Sequence, residues 1–256
     1  MLYINMIFFL ILGLAVGSFL SAYTWRWPRG ISIAKGRSIC PKCKKQIAWY
    51  DNIPLFSYLI LGGRCRNCRK KISLRYSLIE VSTGTLFVVT ILLLGGLGRL
   101  GFPLTTYYLL LTTILIAIFI IDLEHQIIPD ELVFIIFGLS LFMLIVSSND
   151  QLYKIIFASF MASTFFLLLH FITRGRGMGL GDAKLVLALS PILGWPQIMV
   201  WIFLSFIIGA VVGLFLIAIK KASFGKHIAF GPFLVIAFFI TLFWGEYLIG
   251  FLLPFL

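Results

Sequence analysis

The chain has 256 residues, 61% of them hydrophobic and only 12% charged, with a formal net charge of +12. That apolar share excludes an ordinary soluble domain and predicts a polytopic membrane protein. The charge is concentrated: Tyr23–Arg75 holds 13 of the 21 Lys and Arg, with Asp51 as its only acid. Such a block suits nucleic acid, anionic lipid or the setting of topology, and its place just after an apolar run favours topology.

In chain order, helices of spanning or near-spanning length are predicted at about 4–23, 76–97, 104–121, 131–148, 153–173, 183–195, 197–219 and 228–253, since a span takes about 20 residues. Met1–Ala22 carries no basic residues ahead of its apolar stretch and is expected to be a retained first span, not a signal peptide. The sixth is interrupted by Pro191, Gly194 and Pro196 and is expected to be short, kinked or partly re-entrant. With the N-terminus outside, the segments 24–75, 122–130, 174–182 and 220–227 are inner loops. Flanking residues included, these hold 19 of the 21 Lys and Arg and leave only Arg99 and Lys154 outside, as the positive-inside rule asks. The expected architecture is therefore all-α integral membrane, about eight transmembrane helices with a small cytoplasmic loop domain between helices 1 and 2. Its parts are a first helix (1–23), a basic cysteine-bearing domain (24–75) and a helical bundle (76–256). No convincing repeat, low-complexity tract or long linker is seen.

All four cysteines fall in the basic segment, as C-P-K-C (Cys40, Cys43) and C-R-N-C (Cys65, Cys68). Two CxxC turns supply four thiolates, enough to close a tetrahedral zinc site; a cytoplasmic location argues against disulfides. With all ligands from protein, such a site is structural and orders a loop too small to own a large core. A redox dithiol or unligated buried thiols are the alternatives.

Asp122 lies in F-I-I-D-L-E-H-Q-I-I-P-D, where the third apolar run ends, and Asp182 in G-M-G-L-G-D-A-K, where the sixth begins. Carboxylates beside lipid are expensive and tend to be functional. On one side of the bilayer, two of them sharing a proton can activate water for peptide hydrolysis with no covalent intermediate. The glycines Gly175, Gly177, Gly179 and Gly181 let an extended substrate approach the backbone closely, and Lys184 stands beside them. The competing reading makes these acids helix caps or partners of bases such as Lys184. Asp130 and Glu131 suit a helix start, Glu124 and His125 a solvated loop, and His170 a hydrogen-bonded interior position. The chain carries no P-loop, HExxH or Ser/His/Asp arrangement.

Taken in order, G-S-F-L (Gly17–Leu20), the two CxxC turns, L-R-Y-S-L-I-E (Leu74–Glu80), the two aspartate motifs and A-F-G-P-F-L (Ala229–Leu234) resemble the type IV prepilin peptidase family along essentially the whole chain. The resemblance implies a bacterial inner-membrane aspartyl endopeptidase that removes a short basic leader from prepilins or type II secretion pseudopilins at the cytoplasmic face, usually after a Gly. It also implies N-methylation of the new N-terminus, often Phe, with S-adenosylmethionine. On this resemblance Asp122 and Asp182 are catalytic, the latter in a GxGD motif shared with presenilin-like proteases. Cys40, Cys43, Cys65 and Cys68 bind zinc, and Gly179, Gly181, Lys184 and Glu80 are candidates for substrate binding. Glu80 serves methyl transfer or the substrate unless it merely pairs with Arg75. The partners implied are membrane-anchored prepilins and the bilayer, and no nucleic acid. Ser77, Ser21 and Ala229 depart from the commonest family pattern of Pro, Asn and Pro. Acids near the site (Asp51, Glu124, Asp130, Glu131) are expected to receive the basic leader. The rival classes are a proton- or cation-coupled transporter using Asp122 and Asp182, and a zinc-stabilised scaffold without catalysis.

Overall fold

A computed structural model describes residues 2–252 apart from 34, 35, 37, 95, 147–151, 176 and 221–227. Lys35, Arg37, Arg176, Lys221 and Lys226, all counted above as inner-side charges, lie outside the described residues, as does the Arg99 side chain. The described chain is helical, with two isolated β-bridges and no strands. Its α-helices are α1 (Leu2–Arg26), α2 (Phe56–Ile60), α3 (Leu74–Leu93), α4 (Gly96–His125), α5 (Asp130–Val146), α6 (Leu152–Ile172), α7 (Leu180–Leu193), α8 (Gln197–Ala218) and α9 (Gly231–Leu252). Six of them (α1, α3, α4, α6, α8 and α9) are long and apolar enough to cross a membrane. The helices expected at 131–148 and 183–195 are present as α5 and α7, but have only 17 and 14 residues. They extend about 25 Å and 21 Å against a hydrocarbon core of about 30 Å.

Two compact units divide the chain, Met1–Ala117 and Ile118–Leu256. In the first, α1 lies along α3. Glycine makes this possible: a Cβ on Gly13 would sit 2.7 Å from the Gly84 Cα, and one on Gly17 would sit 2.7 Å from the Glu80 Cα. Small residues four apart let helix backbones approach where lipid gives no hydrophobic drive. Phe9, Phe87, Ile91 and Leu109 pack beside this seam. Within α4 the backbone breaks at Gly101 (φ 68, ψ 168), two residues before Pro103, so the apolar run proper begins there.

In the second unit α7 is the hub, touching α5, α6, α8 and α9. Asp182, Ala183, Leu185, Val186, Ala188, Leu189 and Ser190 are buried, covering most of its circumference, as expected for a helix enclosed by protein. Small side chains admit the neighbours, and hydroxyls bind its carbonyls: Ser163 Oγ donates to Ala183 O at 3.0 Å, and Ser140 Oγ donates to Ala188 O. Gly194, at φ 72, ends the helix ahead of Pro196.

Candidate functional site

The two sequence-predicted aspartates are both in the second unit, and both are inside helices rather than in the loops expected for them. α4 runs on to His125, which places Asp122 one turn from its end, and α7 begins at Leu180, which places Asp182 in its first turn. Each is nearly removed from solvent, 5% and 6% exposed. Asp182 Oδ2 accepts the Gly179 N–H at 2.9 Å, closing one of the donors that a helix N-terminus leaves open. Asp122 faces the start of α9, where the Gly231 N–H meets its carboxyl. Its Oδ2 is buried without a hydrogen-bond partner. The two carboxyls border one junction of segments, Asp122 against Gly231 and Asp182 one residue from Gly181, with Ile128 touching both glycines.

Ile128 sits where the segments meet. A Cβ added to Gly181 would lie 3.0 Å from the Ile128 Cβ, and one added to Gly231 would lie 3.3 Å from its Cδ1. The same added atom on Gly231 would lie 2.5 Å from Asp122 Oδ2, closer than real Cβ contacts come. Three non-helical stretches, 126–129, 177–179 and 228–230, thus border the acids. Neither Ile128 nor Gly231 receives a role from sequence reasoning; the Gly-Pro step at 231–232, a helix-start signal, is the trace Gly231 leaves.

Other expectations are resolved residue by residue. His170 is hydrogen-bonded, its Nδ1 lying 2.8 Å from Met178 O. Asp130 opens α5 and takes Lys184 Nζ at 2.8 Å in an exposed pair, so Lys184 meets Asp130 rather than Asp182. Asp51 is gripped by the Arg66 guanidinium at 2.7 Å. Two of the four acids expected to receive a basic leader are therefore already paired within the chain. Glu124 approaches the His125 ring at 4.0 Å, and Glu131 is exposed. Glu80, in the first unit, is 7% exposed and accepts the Leu55 N–H at 2.9 Å, while Arg75 donates to Ser21 O and Thr24 Oγ1.

The four cysteines converge. Their Sγ atoms all lie within 4.8 Å of one another, with Cys40 Sγ 4.0 Å from Cys68 Sγ. Tetrahedral ligation at about 2.3 Å per bond sets sulfurs about 3.8 Å apart, so the donor set fits one soft divalent ion. Each pair is carried by the same hairpin, built twice. Cys40 N–H donates to Lys45 O and Lys44 N–H to Cys40 O, as Cys65 N–H does to Lys70 O and Arg69 N–H to Cys65 O. Lys44 and Arg69 both take positive φ, and the bridges Ile39–Gln46 and Arg64–Lys71 close both turns. This is a local duplication that the sequence shows only in part, as two cysteines followed by a basic pair (Lys44-Lys45, Arg69-Lys70) with different residues elsewhere. The Cys68 and Asn67 backbone N–H groups hold the Cys65 thiol down at about 7. At Cys68 the Lys70 N–H also pulls downward, but burial and hydrogen bonds with the other thiols leave it at about 11.

Comparison with known proteins is consistent along the chain. The bacterial peptidase A24 N-terminal domain matches residues 11–94, and the type IV leader peptidase family matches residues 109–214. The prepilin leader peptidase/N-methyltransferase of Pseudomonas aeruginosa is 34% identical, covering 93% of this chain and 89% of that protein. Its counterpart in Stutzerimonas stutzeri is 34% identical over 93% and 90%, and that of Aeromonas hydrophila 39% identical over 82% and 72%. No solved structure matches.

Proposed function

This chain belongs to the type IV leader peptidase family, and from that premise we propose that Asp122 and Asp182 are the pair that activates water in its peptidase reaction. The protein is a membrane peptidase that removes the leader from type IV prepilins and N-methylates the N-terminus so exposed. The observation carrying the residue assignment is that two almost fully buried carboxyls, at the ends of two different helices, border one junction around Ile128. Like charges in so dry a place favour a single shared proton. The ionised carboxyl takes a proton from water as its oxygen attacks the scissile carbonyl, and the protonated one donates to the carbonyl oxygen. The amine then leaves with a proton returned from the pair, which restores the starting state.

Gly179 and Gly181 line the approach, where an extended peptide pairs with exposed backbone, and Lys184 stands at its rim. We take α5 and α7 as membrane-embedded in addition to the six longer helices, giving eight in all. The N-terminus is then outside, and the acids and the 24–75 module lie at the cytoplasmic face of the bacterial inner membrane. The ion in the cysteine cluster is assigned as structural zinc, which holds the paired hairpins together. S-adenosylmethionine is the methyl donor, and membrane-anchored prepilins and pseudopilins are the substrates. A transporter built on these acids expects them near mid-span, whereas both lie within a turn of a helix end, and the family gives that reading no support.

The test is cleavage of a prepilin in liposomes by wild type, Asp122→Asn and Asp182→Asn, with melting temperature followed in parallel. Asn at 182 still accepts the Gly179 N–H, so folding is retained while cleavage is lost. Normal cleavage by both variants would remove the acids from the mechanism.

A further inference from the structure

Part of the 24–75 module turns its apolar side chains outward. On the short helix α2, Phe56, Leu59 and Ile60 are 64%, 73% and 68% exposed, and their i, i+3, i+4 spacing puts them on one face. The opposite side is tied down: Ser57 is buried, and its Oγ donates to Tyr50 O at 3.0 Å and to Ile53 O at 2.7 Å. Trp49 and Ile53, in the stretch that Ser57 grips, are exposed as well. A grouped apolar surface of this kind marks a site of interaction. Two neighbouring helices fix its level. α3 has 20 residues and so extends about 30 Å, the thickness of the hydrocarbon core. The Leu55 N–H, at the head of α2, donates to Glu80 Oε2 at 2.9 Å, and Glu80 lies six residues, about 9 Å, into α3. α1 gives the same answer from across the seam. Gly17, which packs on the Glu80 Cα, lies nine residues, about 14 Å, before the Arg26 that ends α1. A helical side chain leans back toward the start of its helix, so Leu55 lies shallower than the Glu80 backbone, still on the membrane side of Arg26.

We propose that α2 is an interfacial helix, with Phe56, Leu59 and Ile60 among the acyl chains of the leaflet at which α1 and α3 end. The bilayer is the occupant of this face. The inference rests on the reading of α1 and α3 as membrane spans. Helices that lie in the interface bury their apolar face about 5–10 Å into the boundary between headgroups and acyl chains, which is the depth that the bond to Glu80 gives α2. Backbone at that depth has to be bonded within the protein, and here it is. Ser57 N–H donates to Ile53 O, Leu59 N–H to Leu55 O and Leu61 N–H to Ser57 O. The hairpin that follows carries exposed Arg64, Arg69, Lys70 and Lys71, cations that complement anionic headgroups. The cysteine module is then held to the membrane at three places, the ends of α1 and α3 and α2 between them, instead of hanging from two.

The test replaces Leu59 or Ile60, one at a time, by p-benzoylphenylalanine, which on irradiation inserts into neighbouring C–H bonds. The full-length protein is reconstituted in liposomes of phosphatidylethanolamine and phosphatidylglycerol, and lipid adducts at each position are measured by mass spectrometry. Leu78, exposed on α3 two residues before Glu80, is the positive control. Asn67, exposed on the second cysteine hairpin, is the negative one. Adduct yields at 59 and 60 should be within threefold of that at 78 and at least tenfold above that at 67. Both side chains are mostly exposed, so the melting temperatures should match wild type, and either position alone decides the matter. Adding Phe56→Glu places a charge on the same face and should lower the yield at 59 at least fivefold. A yield at 59 and 60 no higher than at 67, cross-links there to a second copy or to residues 118–256, or a yield unmoved by Phe56→Glu overturns the proposal, while adducts at 78 uphold α3 as a span. No adduct at 78 overturns the span reading as well.

Discussion

Replacing Gly231 by alanine puts a methyl group where the Asp122 carboxyl already lies. The added Cβ would sit 2.5 Å from Oδ2 and 3.1 Å from Cγ, about 0.9 Å short of ordinary van der Waals contact at 3.4 Å. Neither side has much room: Asp122 is 5% exposed, and Ile128 Cδ1 stands 3.3 Å from the same point. The strain is then divided between a shifted start of α9 and a rotated Asp122. Overpacking of this kind costs about 1–3 kcal/mol of stability. A displacement approaching 1 Å at a reacting group costs roughly 100-fold in rate. Gly231→Ala is therefore expected to lower kcat for leader cleavage about 100-fold, with a smaller change in KM, in a protein that still melts cooperatively. Gly138→Ala is the control, since nothing lies within 4 Å of a Cβ there, and it should cleave like wild type. A steady-state series on a fluorogenic prepilin peptide in liposomes measures both. Cleavage by Gly231→Ala within threefold of wild type would refute the close approach as a feature of the working site.

Gly17→Leu drives a side chain into α3, where even a Cβ meets the Glu80 Cα at 2.7 Å, and should cost at least the ~1–3 kcal/mol of ordinary overpacking, read as a lowered melting temperature. Elemental analysis should find one zinc per chain, and Cys65→Ser should lower that content. Because the ligands bind as thiolates, protons compete with the metal, so zinc should be released as pH falls and retained as it rises, as followed with a chromogenic chelator. Lys184→Ala breaks an ion pair whose partners are both more than half exposed, so its melting curve should shift by no more than the ~1 kcal/mol that such pairs are worth.

The long helices were legible because a membrane span is mostly a matter of apolar length. The predicted and observed bounds of 153–173 and Leu152–Ile172, or 197–219 and Gln197–Ala218, differ by a residue. The ends that carry chemistry were less legible. A polar residue is a loop signal in the sequence, which places Asp122 and Asp182 just outside their helices. In the fold each is accommodated within the last or first turn, because neighbouring helices and helix-terminal N–H groups replace the water it would otherwise need. The duplicated hairpin was hidden for a different reason. It consists of backbone hydrogen bonds and two positive-φ residues, Lys44 and Arg69, and the residue types mark it only by the cysteine spacing and the basic pairs that follow, Lys44-Lys45 and Arg69-Lys70. Gly231 and Ile128 acquire their importance from residues about 50 to 110 positions away, which no local pattern reports.

Capping and catalysis, opposed as readings of the sequence, are compatible in the structure. The bond from Gly179 N–H to Asp182 Oδ2 is a cap, and it also holds a buried carboxyl in one orientation at the head of α7. A reacting group held by its own helix needs no reorganisation at the moment of reaction, which is how a site gains rate from structure it already has. Asp122 shows the complementary arrangement, one oxygen left buried and without a partner while the backbone of Gly231 closes in beside it. Such an oxygen is costly in a resting protein, and a water entering the site would relieve that cost by donating to it. Both carboxyls thus meet a helix-start N–H, and it is the unpartnered Oδ2 that argues that Asp122 meets the incoming water. Asp122→Asn should then abolish turnover more completely than Asp182→Asn, by at least tenfold in residual kcat. The reverse order of residual activities would exchange the two roles.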